Sequence, residues 1–130
     1  MKVNLEWIIK QLQMIVKRAY TPFSNFKVAC MIIANNQTFF GVNIENSSFP
    51  VTLCAERSAI ASMVTSGHRK IDYVFVYFNT KNKSNSPCGM CRQNLLEFSH
   101  QKTKLFCIDN DSSYKQFSID ELLMNGFKKS

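Results

Sequence analysis

The order of apolar and polar positions predicts a helix near the start of the chain. Apolar residues recur every three or four positions from Leu5 to Ala19, which is the spacing of one helical face. Asn4 directly precedes this stretch, and an asparagine at that place can cap the first turn. Pro22 ends the helix, because a proline disfavours helical geometry in the residue before it. We therefore expect an amphipathic helix followed by a loop.

Five short stretches are predicted to be strands, and the first four of them are mostly apolar. They cover residues 28–34, 38–44, 71–78, 104–109 and 114–117. Asn35, Asn36 and Gln37 separate the first two, and asparagine tolerates left-handed backbone angles, so we expect a tight hairpin there. The stretch from 71 to 78 is nearly all apolar, which predicts a strand in the middle of a sheet.

A second helix is predicted between the second and third strands. Thr52 is its expected N-cap, and Gly67 is suited to the position just after its end. Cys54 and Glu56 then lie in its first turn, where the helix dipole favours a thiolate.

A third helix is predicted from Cys88 to about Ser99. Ser118 or Asp120 is expected to open a last helical turn. His68 and His100 follow the predicted ends of helices, and we expect them to be exposed or helix-end residues without a role in the chemistry.

Composition indicates an ordinary globular domain. Of the 130 residues, 45% are apolar and 19% are charged, and this length suits one core but not two, so we expect a single domain over 1–130. No apolar run approaches the roughly 18 residues that span a bilayer. Glu6 interrupts the first apolar stretch, unlike in a signal peptide. We expect a cytoplasmic protein that does not enter a membrane.

The net charge of +7 raises the question of nucleic-acid binding. Lysine and arginine fall in small groups along the chain and never form one long run, so we interpret them as a solvated basic surface and expect no nucleic-acid partner. The five cysteines are an odd number, too few for a disulfide scaffold, which fits a reducing compartment. Cys30 and Cys107 lie within predicted strands and are expected to be buried small hydrophobes.

The other three cysteines have the pattern of a catalytic metal site. Cys88 and Cys91 stand three residues apart at the start of a predicted helix, so both thiolates can hold one ion. Cys54, at the start of another helix, would be the third ligand. Catalytic zinc keeps three protein ligands and leaves one position for water, and no clear fourth ligand is present. Glu56 is then free to move protons, so we expect one Zn²⁺ per chain with a carboxylate beside it.

Arg57 and Arg92 each follow a proposed ligand closely. Three thiolates and a divalent ion sum to a charge of −1, which weakens the metal as a Lewis acid. Positive groups near the sulfurs, together with the N-termini of two helices, would offset that charge. We therefore expect both arginines in the layer around the metal ligands.

Two further segments each have a structural and a functional interpretation. The aromatic rings of residues 20–26 either pack under the first helix or stack on a flat substrate. Asn43 and Glu45 lie in a stretch that is either a plain turn or a set of hydrogen-bonding groups for sugar hydroxyls. The residues alone leave both choices open.

Four stretches, in the same order along the chain, resemble the small homotetrameric zinc-dependent cytidine deaminases. Residues 20–26 resemble that family's Tyr-x-Pro-aromatic-Ser-x-Phe loop, and residues 43–46 resemble its ribose-binding stretch. Residues 54–57 and 86–93 match its metal motifs position by position. The resemblance covers nearly the whole chain. It implies a three-layer α/β/α fold with a five-stranded mixed sheet and with the metal at the N-termini of the second and third helices.

The resemblance also implies a role for each residue of these motifs. Zinc would be bound by Cys54, Cys88 and Cys91, and Glu56 would move the proton. The nucleoside would be bound by Asn43 and Glu45 at the ribose, by Phe26 at the pyrimidine ring, and by Phe127 from a neighbouring subunit of a homotetramer.

Two positions depart from the family pattern. Ala29-Cys30 stands where the family commonly has Gly-Ala, inside a strand and away from every proposed ligand. Met124 replaces a proline in the C-terminal segment that carries Phe127, so the turn that directs this ring is expected to differ.

The activity implied is hydrolytic deamination of cytidine and deoxycytidine to uridine and deoxyuridine with release of ammonia, a step of pyrimidine salvage. Glu56 would take a proton from the water that attacks C4 and pass protons to N3 and to the leaving amino group.

Other functions remain open on the residues alone. A deaminase of an aminoacylated cytosine nucleoside antibiotic shares the metal motifs, and a polynucleotide-editing deaminase would need a groove for flanking nucleotides. A non-enzymatic zinc-stabilised module would make Glu56 a bystander. A redox Cys-x-x-Cys protein would leave Cys54 and Glu56 unexplained.

Overall fold

A computed structural model of the chain describes residues 3–129. The predicted domain over 1–130 also contains residues 1, 2 and 130, which lie outside the described part. In chain order the helices and strands are α1 (Leu5–Ile15), β1 (Lys27–Ala34), β2 (Gln37–Val42), α2 (Ala55–Thr65), β3 (Tyr73–Asn79), α3 (Gly89–Phe98), β4 (Lys104–Ile108), β5 (Tyr114–Phe117) and α4 (Ile119–Leu122). Short 3₁₀ turns at Val16–Arg18 and Phe49–Val51 complete the fold.

The five strands form one mixed sheet in the order β2-β1-β3-β4-β5. β3 and β4 are parallel, and the other three pairs are antiparallel. The strand predicted to be central, β3, lies between β1 and β4 and is buried over most of its length. The predicted five-stranded mixed sheet is therefore confirmed.

Helices cover both faces of this sheet. Along β1, the residues Ala29, Met31 and Ile33 belong to a core with the apolar side of α1. The residues between them, such as Cys30 and Ile32, belong to a second core with α2, α3 and α4. Because neighbouring residues of a strand point to opposite faces, one almost wholly apolar strand serves both cores. The predicted three-layer arrangement is confirmed.

Several local signals act as predicted. The Asn4 side chain accepts a hydrogen bond from Trp7 N at 3.1 Å and caps α1. Asn35 and Asn36 both have positive φ angles and join β1 to β2 as a two-residue hairpin. Ser118, one of the two expected caps, caps α4 through a reciprocal capping box with Glu121.

Some predicted boundaries are wrong by a few residues. The α-helical part of α1 ends at Ile15, and the chain continues through a 3₁₀ turn before Ala19. Strand β3 starts at Tyr73, because the Ile71 N–H bonds instead to Phe98 O at 2.8 Å. Strand β2 ends at Val42, and Ile44 makes isolated bridges with Tyr20 and Leu53.

Gly41 determines how closely α2 lies on the sheet. A Cβ atom at Gly41 would stand 2.3 Å from Ala59 N and 2.4 Å from Ala55 O, both in the backbone of α2. A side chain there would push the helix away, so this glycine allows the N-terminal half of α2 to lie directly against β2. Over residues 3–129, none of the helices is both long and apolar enough to cross a bilayer.

Candidate metal centre and active site

Each of two helices begins directly after a cysteine. Cys54 is the N-cap of α2 and Cys88 is the N-cap of α3, both with extended backbone. The predicted N-cap of α2, Thr52, is wrong, because Leu53 exchanges backbone hydrogen bonds of 2.9 Å with Ile44 and keeps the chain extended up to Cys54. The positive ends of both helix dipoles therefore meet at the two sulfurs.

The structure brings the three predicted ligands together although 34 residues separate Cys54 from Cys88. The Sγ atoms of Cys54, Cys88 and Cys91 lie within 4.8 Å of one another, and Cys54 Sγ and Cys88 Sγ are 4.0 Å apart. Two thiolates at about 2.3 Å from a tetrahedral zinc ion would be separated by about 3.8 Å. The three cysteines fit such an ion and leave a fourth position for water. Within residues 3–129 they are the one cluster of this kind.

The thiol groups of Cys54 and Cys91 have pKa values shifted in opposite directions. Interaction with the neighbouring Cys91 thiol, with smaller effects of Arg57 and Cys88, lowers the pKa of Cys54 to about 5 against the opposing effect of partial burial. The same interaction and burial raise the pKa of Cys91. A thiolate is the form that binds a metal, so the lowered pKa of Cys54 favours its ligating form.

Glu56 lies in the first turn of α2 and is 3% exposed. Removal from water raises the pKa of its carboxyl group to about 7. The group lines the same cavity as Cys54 and Cys88. A carboxyl group with this pKa can both accept and release a proton near neutral pH.

The two arginines occupy different places. Arg57 Nη2 donates to Thr52 O at 2.9 Å and lies 3.9 Å from Cys54 Sγ, beside the sulfurs as expected. Arg92 donates to Pro87 O, next to Cys88, at 2.7 Å and to Leu122 O at 2.7 Å. Its Nη2 donates to Ser86 Oγ at 2.8 Å. Arg92 therefore stabilises the segment that leads to Cys88 and ties it to α4.

A cavity of ≈ 200 Å³ lies next to the sulfurs. Its apolar side is formed by Phe26, 39% exposed, whose ring stacks on that of Phe78 with centroids 6.5 Å apart. Four of the lining residues lie outside the motifs that the sequence singled out: Val28, Thr52, Leu53 and Phe78. Val28 and Phe78 are paired across β1 and β3. Only the register of these two strands shows that both residues line the cavity, and this register cannot be predicted from the sequence.

Asn43 and Glu45 both fasten the aromatic loop that carries Phe26. Asn43 Nδ2 donates to Phe26 O at 2.7 Å, and Asn43 Oδ1 accepts from Val28 N at 2.9 Å. Glu45 accepts from Phe23 N at 3.0 Å and from both the backbone and the hydroxyl group of Ser24. These bonds, chiefly that from the Ser24 hydroxyl, lower the pKa of Glu45.

Asn43 and Glu45 line two different but neighbouring spaces. Asn43 lines the cavity itself, whereas Glu45 lines an adjoining recess with Phe23 and Phe49. Thr52 borders both spaces, which therefore adjoin at this residue. Phe127 lines neither of them: its ring is 75% exposed, and its backbone O accepts from Gln93 Nε2 at 2.7 Å.

The remaining candidates lie where the sequence predicts. Cys30 and Cys107 are buried in the core beneath α2 and α3, and burial raises the pKa of both thiols, that of Cys107 to about 12. His68 and His100 follow the ends of α2 and α3, where each is partly buried.

The fold is shared with solved deaminase structures. The chain is similar to the cytidine deaminase of Burkholderia pseudomallei, with a TM-score of 0.89 and 29% identity over 96% of this chain and 100% of that chain. It has the same general fold as the dCMP deaminase of cyanophage S-TIM5, with a TM-score of 0.56 and 20% identity over 86% of this chain and 89% of that chain. The architecture is thus that of a deaminase.

The sequence comparison is more specific. Residues 2–107 match the family described as the cytidine and deoxycytidylate deaminase zinc-binding region. The chain is also 67% identical to the cytidine deaminase of Mycoplasma pneumoniae over 129 residues, which cover 98% of this chain and 97% of that protein. The protein belongs to the cytidine and deoxycytidylate deaminase family, which confirms the resemblance of its four motifs.

Proposed function

We propose that this protein is a zinc-dependent cytidine deaminase that converts cytidine and deoxycytidine to uridine and deoxyuridine with release of ammonia. The observation that carries the proposal is the position of buried Glu56 in one cavity with Cys54 and Cys88, next to a cluster of three sulfurs that fits a zinc ion. A structural zinc site would be closed by a fourth protein ligand and would not need this carboxylate.

The three thiolates of Cys54, Cys88 and Cys91 would hold the ion. When bound there, zinc supplies Lewis acidity that makes water nucleophilic at neutral pH. Arg57, 3.9 Å from Cys54 Sγ, offsets part of the negative charge that three thiolates bring.

Glu56 moves the protons of the reaction. It takes a proton from the attacking water and gives it to N3 of the pyrimidine, while the water oxygen bonds to C4. It then transfers the remaining hydroxyl proton to the amino group on C4, the C4–N bond breaks and ammonia leaves. Water and cytidine are consumed and uridine and ammonia are formed, so Glu56 ends in its starting state.

The lining of the cavity favours a nucleoside over a nucleotide. Within the described part of the chain, no lysine or arginine lines the cavity or the adjoining recess. Glu45 adds a carboxylate to the recess, and the low pKa of that group keeps it ionised. A 5′-phosphate entering from this side would meet a like charge, with no cation among the lining residues to offset it.

The sugar is proposed to bind between Asn43 and Glu45, and the base to lie against Phe26. The Asn43 amide keeps a second N–H and a second lone pair beyond its two backbone bonds, so it can still bind a hydroxyl group. The ionised Glu45 carboxylate can accept from a further hydroxyl group. The ring of Phe26 provides the flat apolar face that a pyrimidine requires.

The assembly and setting of the reaction are part of the same proposal. The exposed ring of Phe127 would complete the site of a neighbouring subunit in a homotetramer. A reducing cytoplasm would keep the three thiolates free to hold zinc, and the reaction would serve pyrimidine salvage there.

Ultraviolet absorbance of zinc-quantified protein with cytidine, deoxycytidine and cytidine 5′-monophosphate tests this function. We expect both nucleosides to be converted with release of ammonia at about one zinc per chain, and the monophosphate to react at least about tenfold more slowly in kcat/KM, which corresponds to about 1.4 kcal/mol. Removal of zinc by a chelator should abolish conversion. Preference for the monophosphate, or no conversion by zinc-loaded protein, would contradict the proposal.

A further inference from the structure

The loop that leads to Cys88 is fastened to the turn between β4 and β5. β3 and β4 are parallel, so their carboxyl ends lie at the same edge of the sheet. The loop over residues 80–87 starts from the end of β3 and ends at Cys88, the N-cap of α3. Asp109 directly follows β4 and is therefore the neighbour of this loop across the sheet edge.

The Asp109 carboxylate accepts three hydrogen bonds from two consecutive residues of the loop. Oδ2 accepts from Ser84 N at 3.0 Å, and Oδ1 accepts from Asn85 N at 3.4 Å and from Asn85 Nδ2 at 3.0 Å. Asn85 Nδ2 also donates to Asn82 O at 2.9 Å and closes the loop on itself. These bonds lower the pKa of Asp109 against the opposing effect of its partial burial, so the acceptor is an ionised carboxylate.

Ser84 has a backbone conformation that needs such support. Its φ angle is +59°, in the left-handed region that residues other than glycine disfavour. The Asp109 carboxylate binds the N–H of this same residue, and therefore stabilises the loop at its least favourable point.

Cys88 is the metal ligand that depends most on this loop. Cys91 is buried within α3 and Cys54 is half-buried, whereas Cys88 is exposed and stands outside the helix. Arg92 holds Ser86 and Pro87 from the side of α3. The two preceding residues, Ser84 and Asn85, are held from the opposite side by Asp109.

We propose that Asp109 is a positioning residue for the metal centre, which holds the loop so that the Cys88 thiolate stays within ligand distance of the other two sulfurs. The inference rests on the proposed zinc-dependent function. Asp109 itself touches neither the metal ligands nor the substrate cavity. Its contribution is the placement of the exposed third ligand, in the way that hydrogen-bonded groups behind metal ligands tune a site.

The test compares Asp109→Ala and Asp109→Asn with a control, Asp111→Asn. Asp111 lies in the same turn and forms an exposed ion pair with Lys83 of the same loop, a contact that contributes little. Each variant is first shown by circular dichroism to be folded at the assay temperature. Zinc affinity is then measured by competition with a chromophoric chelator, and hydrogen exchange is followed in the peptide that contains residues 82–88.

We expect Asp109→Ala to weaken zinc binding about tenfold or more and to raise hydrogen exchange of Ser84 and Asn85. Asp109→Asn keeps one acceptor oxygen and should recover part of the affinity, and Asp111→Asn should stay within about twofold of the wild type. Folded Asp109→Ala protein with wild-type zinc affinity would overturn this inference alone. A wild-type protein that holds no zinc would overturn the proposed function as well.

Discussion

The guanidinium group of Arg57 stands beside the sulfur of Cys54, with Nη2 3.9 Å from Sγ and 2.9 Å from Thr52 O. The bond to Thr52 fixes the side chain so that its charge stays next to a proposed ligand. Three thiolates around a divalent ion would leave a net negative charge and weaken it as a Lewis acid, and the guanidinium group of Arg57 would offset part of that charge.

Arg57→Gln removes this charge while keeping a polar side chain of moderate length. We expect kcat for cytidine to fall about tenfold or more, with an unfolding temperature close to that of the wild type. Arg57→Lys keeps the positive charge but lacks the planar guanidinium group, so its kcat should lie between those of the wild type and Arg57→Gln. Steady-state kinetics on zinc-quantified protein measures this effect, and an unchanged kcat in Arg57→Gln would contradict the role.

Glu56→Gln replaces the proton carrier by a side chain of the same shape. We expect zinc content to stay at that of the wild type and kcat to fall by about 10²–10⁴, the usual contribution of general acid–base catalysis. Glu97→Gln, an exposed residue of α3, is the matched control and should keep full activity. If Glu56→Gln turned over cytidine at the wild-type rate, Glu56 would have no part in proton transfer.

Burial of Glu56 predicts a pH dependence of the stability of the metal-free protein. The pKa is raised in the folded state, so the folded chain holds this proton more tightly than the unfolded chain between about pH 4.5 and 7. The stabilisation that Glu56 provides by holding this proton is fully present below about pH 4.5 and is lost as the pH rises towards 7. Its loss reduces the free energy of unfolding by about 3 kcal/mol.

Urea denaturation of metal-free wild type and Glu56→Gln at pH 5 and pH 8 tests this dependence. The amide does not titrate, so the variant should gain stability relative to the wild type as the pH rises. A difference between the two proteins that is the same at both pH values would exclude a raised pKa for Glu56.

Gly41→Ala should destabilise the fold by pushing α2 away from β2. The added Cβ would lie 2.3 Å from a backbone nitrogen of the helix, and overpacking of this kind costs about 1–3 kcal/mol. Gly89→Ala is the control for stability, because a Cβ at Gly89 meets no atom within 4 Å. Thermal unfolding should show a lower midpoint for Gly41→Ala only, and equal midpoints would indicate that α2 can shift without cost.

The helices, the strands and part of the metal site could be predicted from the sequence, because each depends on residues that are close together in the chain. Apolar spacing predicted the helices and strands, because periods of 3.6 and 2 follow from the geometry of each element. The Asn35-Asn36 hairpin and the Ser118 cap were predictable for the same reason, since each depends on residues that are neighbours in the chain. Cys88 and Cys91 are likewise close in sequence, so a shared metal site could be inferred from spacing alone.

Contacts between distant segments were decided by the tertiary structure. The N-cap of α2 was predicted at Thr52 but lies at Cys54, because Leu53 pairs with Ile44 and keeps the chain extended. A capping rule that considers only neighbouring residues cannot predict this pairing. The bond from Arg92 to Leu122 O joins residues 30 positions apart, and the place of Arg92 beside Cys91 in the sequence does not predict it.

The sequence by itself determined the elements and the chemical groups of this protein, because helical spacing, caps and donor types are properties of nearby residues. The tertiary structure decided the distances between those groups: the 4.0 Å between two sulfurs from separate helices, the burial of Glu56 and the contact of Asp109 with the loop before Cys88. Each of these depends on strand order and on the packing of helices against the sheet, which bring together segments that are far apart in the chain.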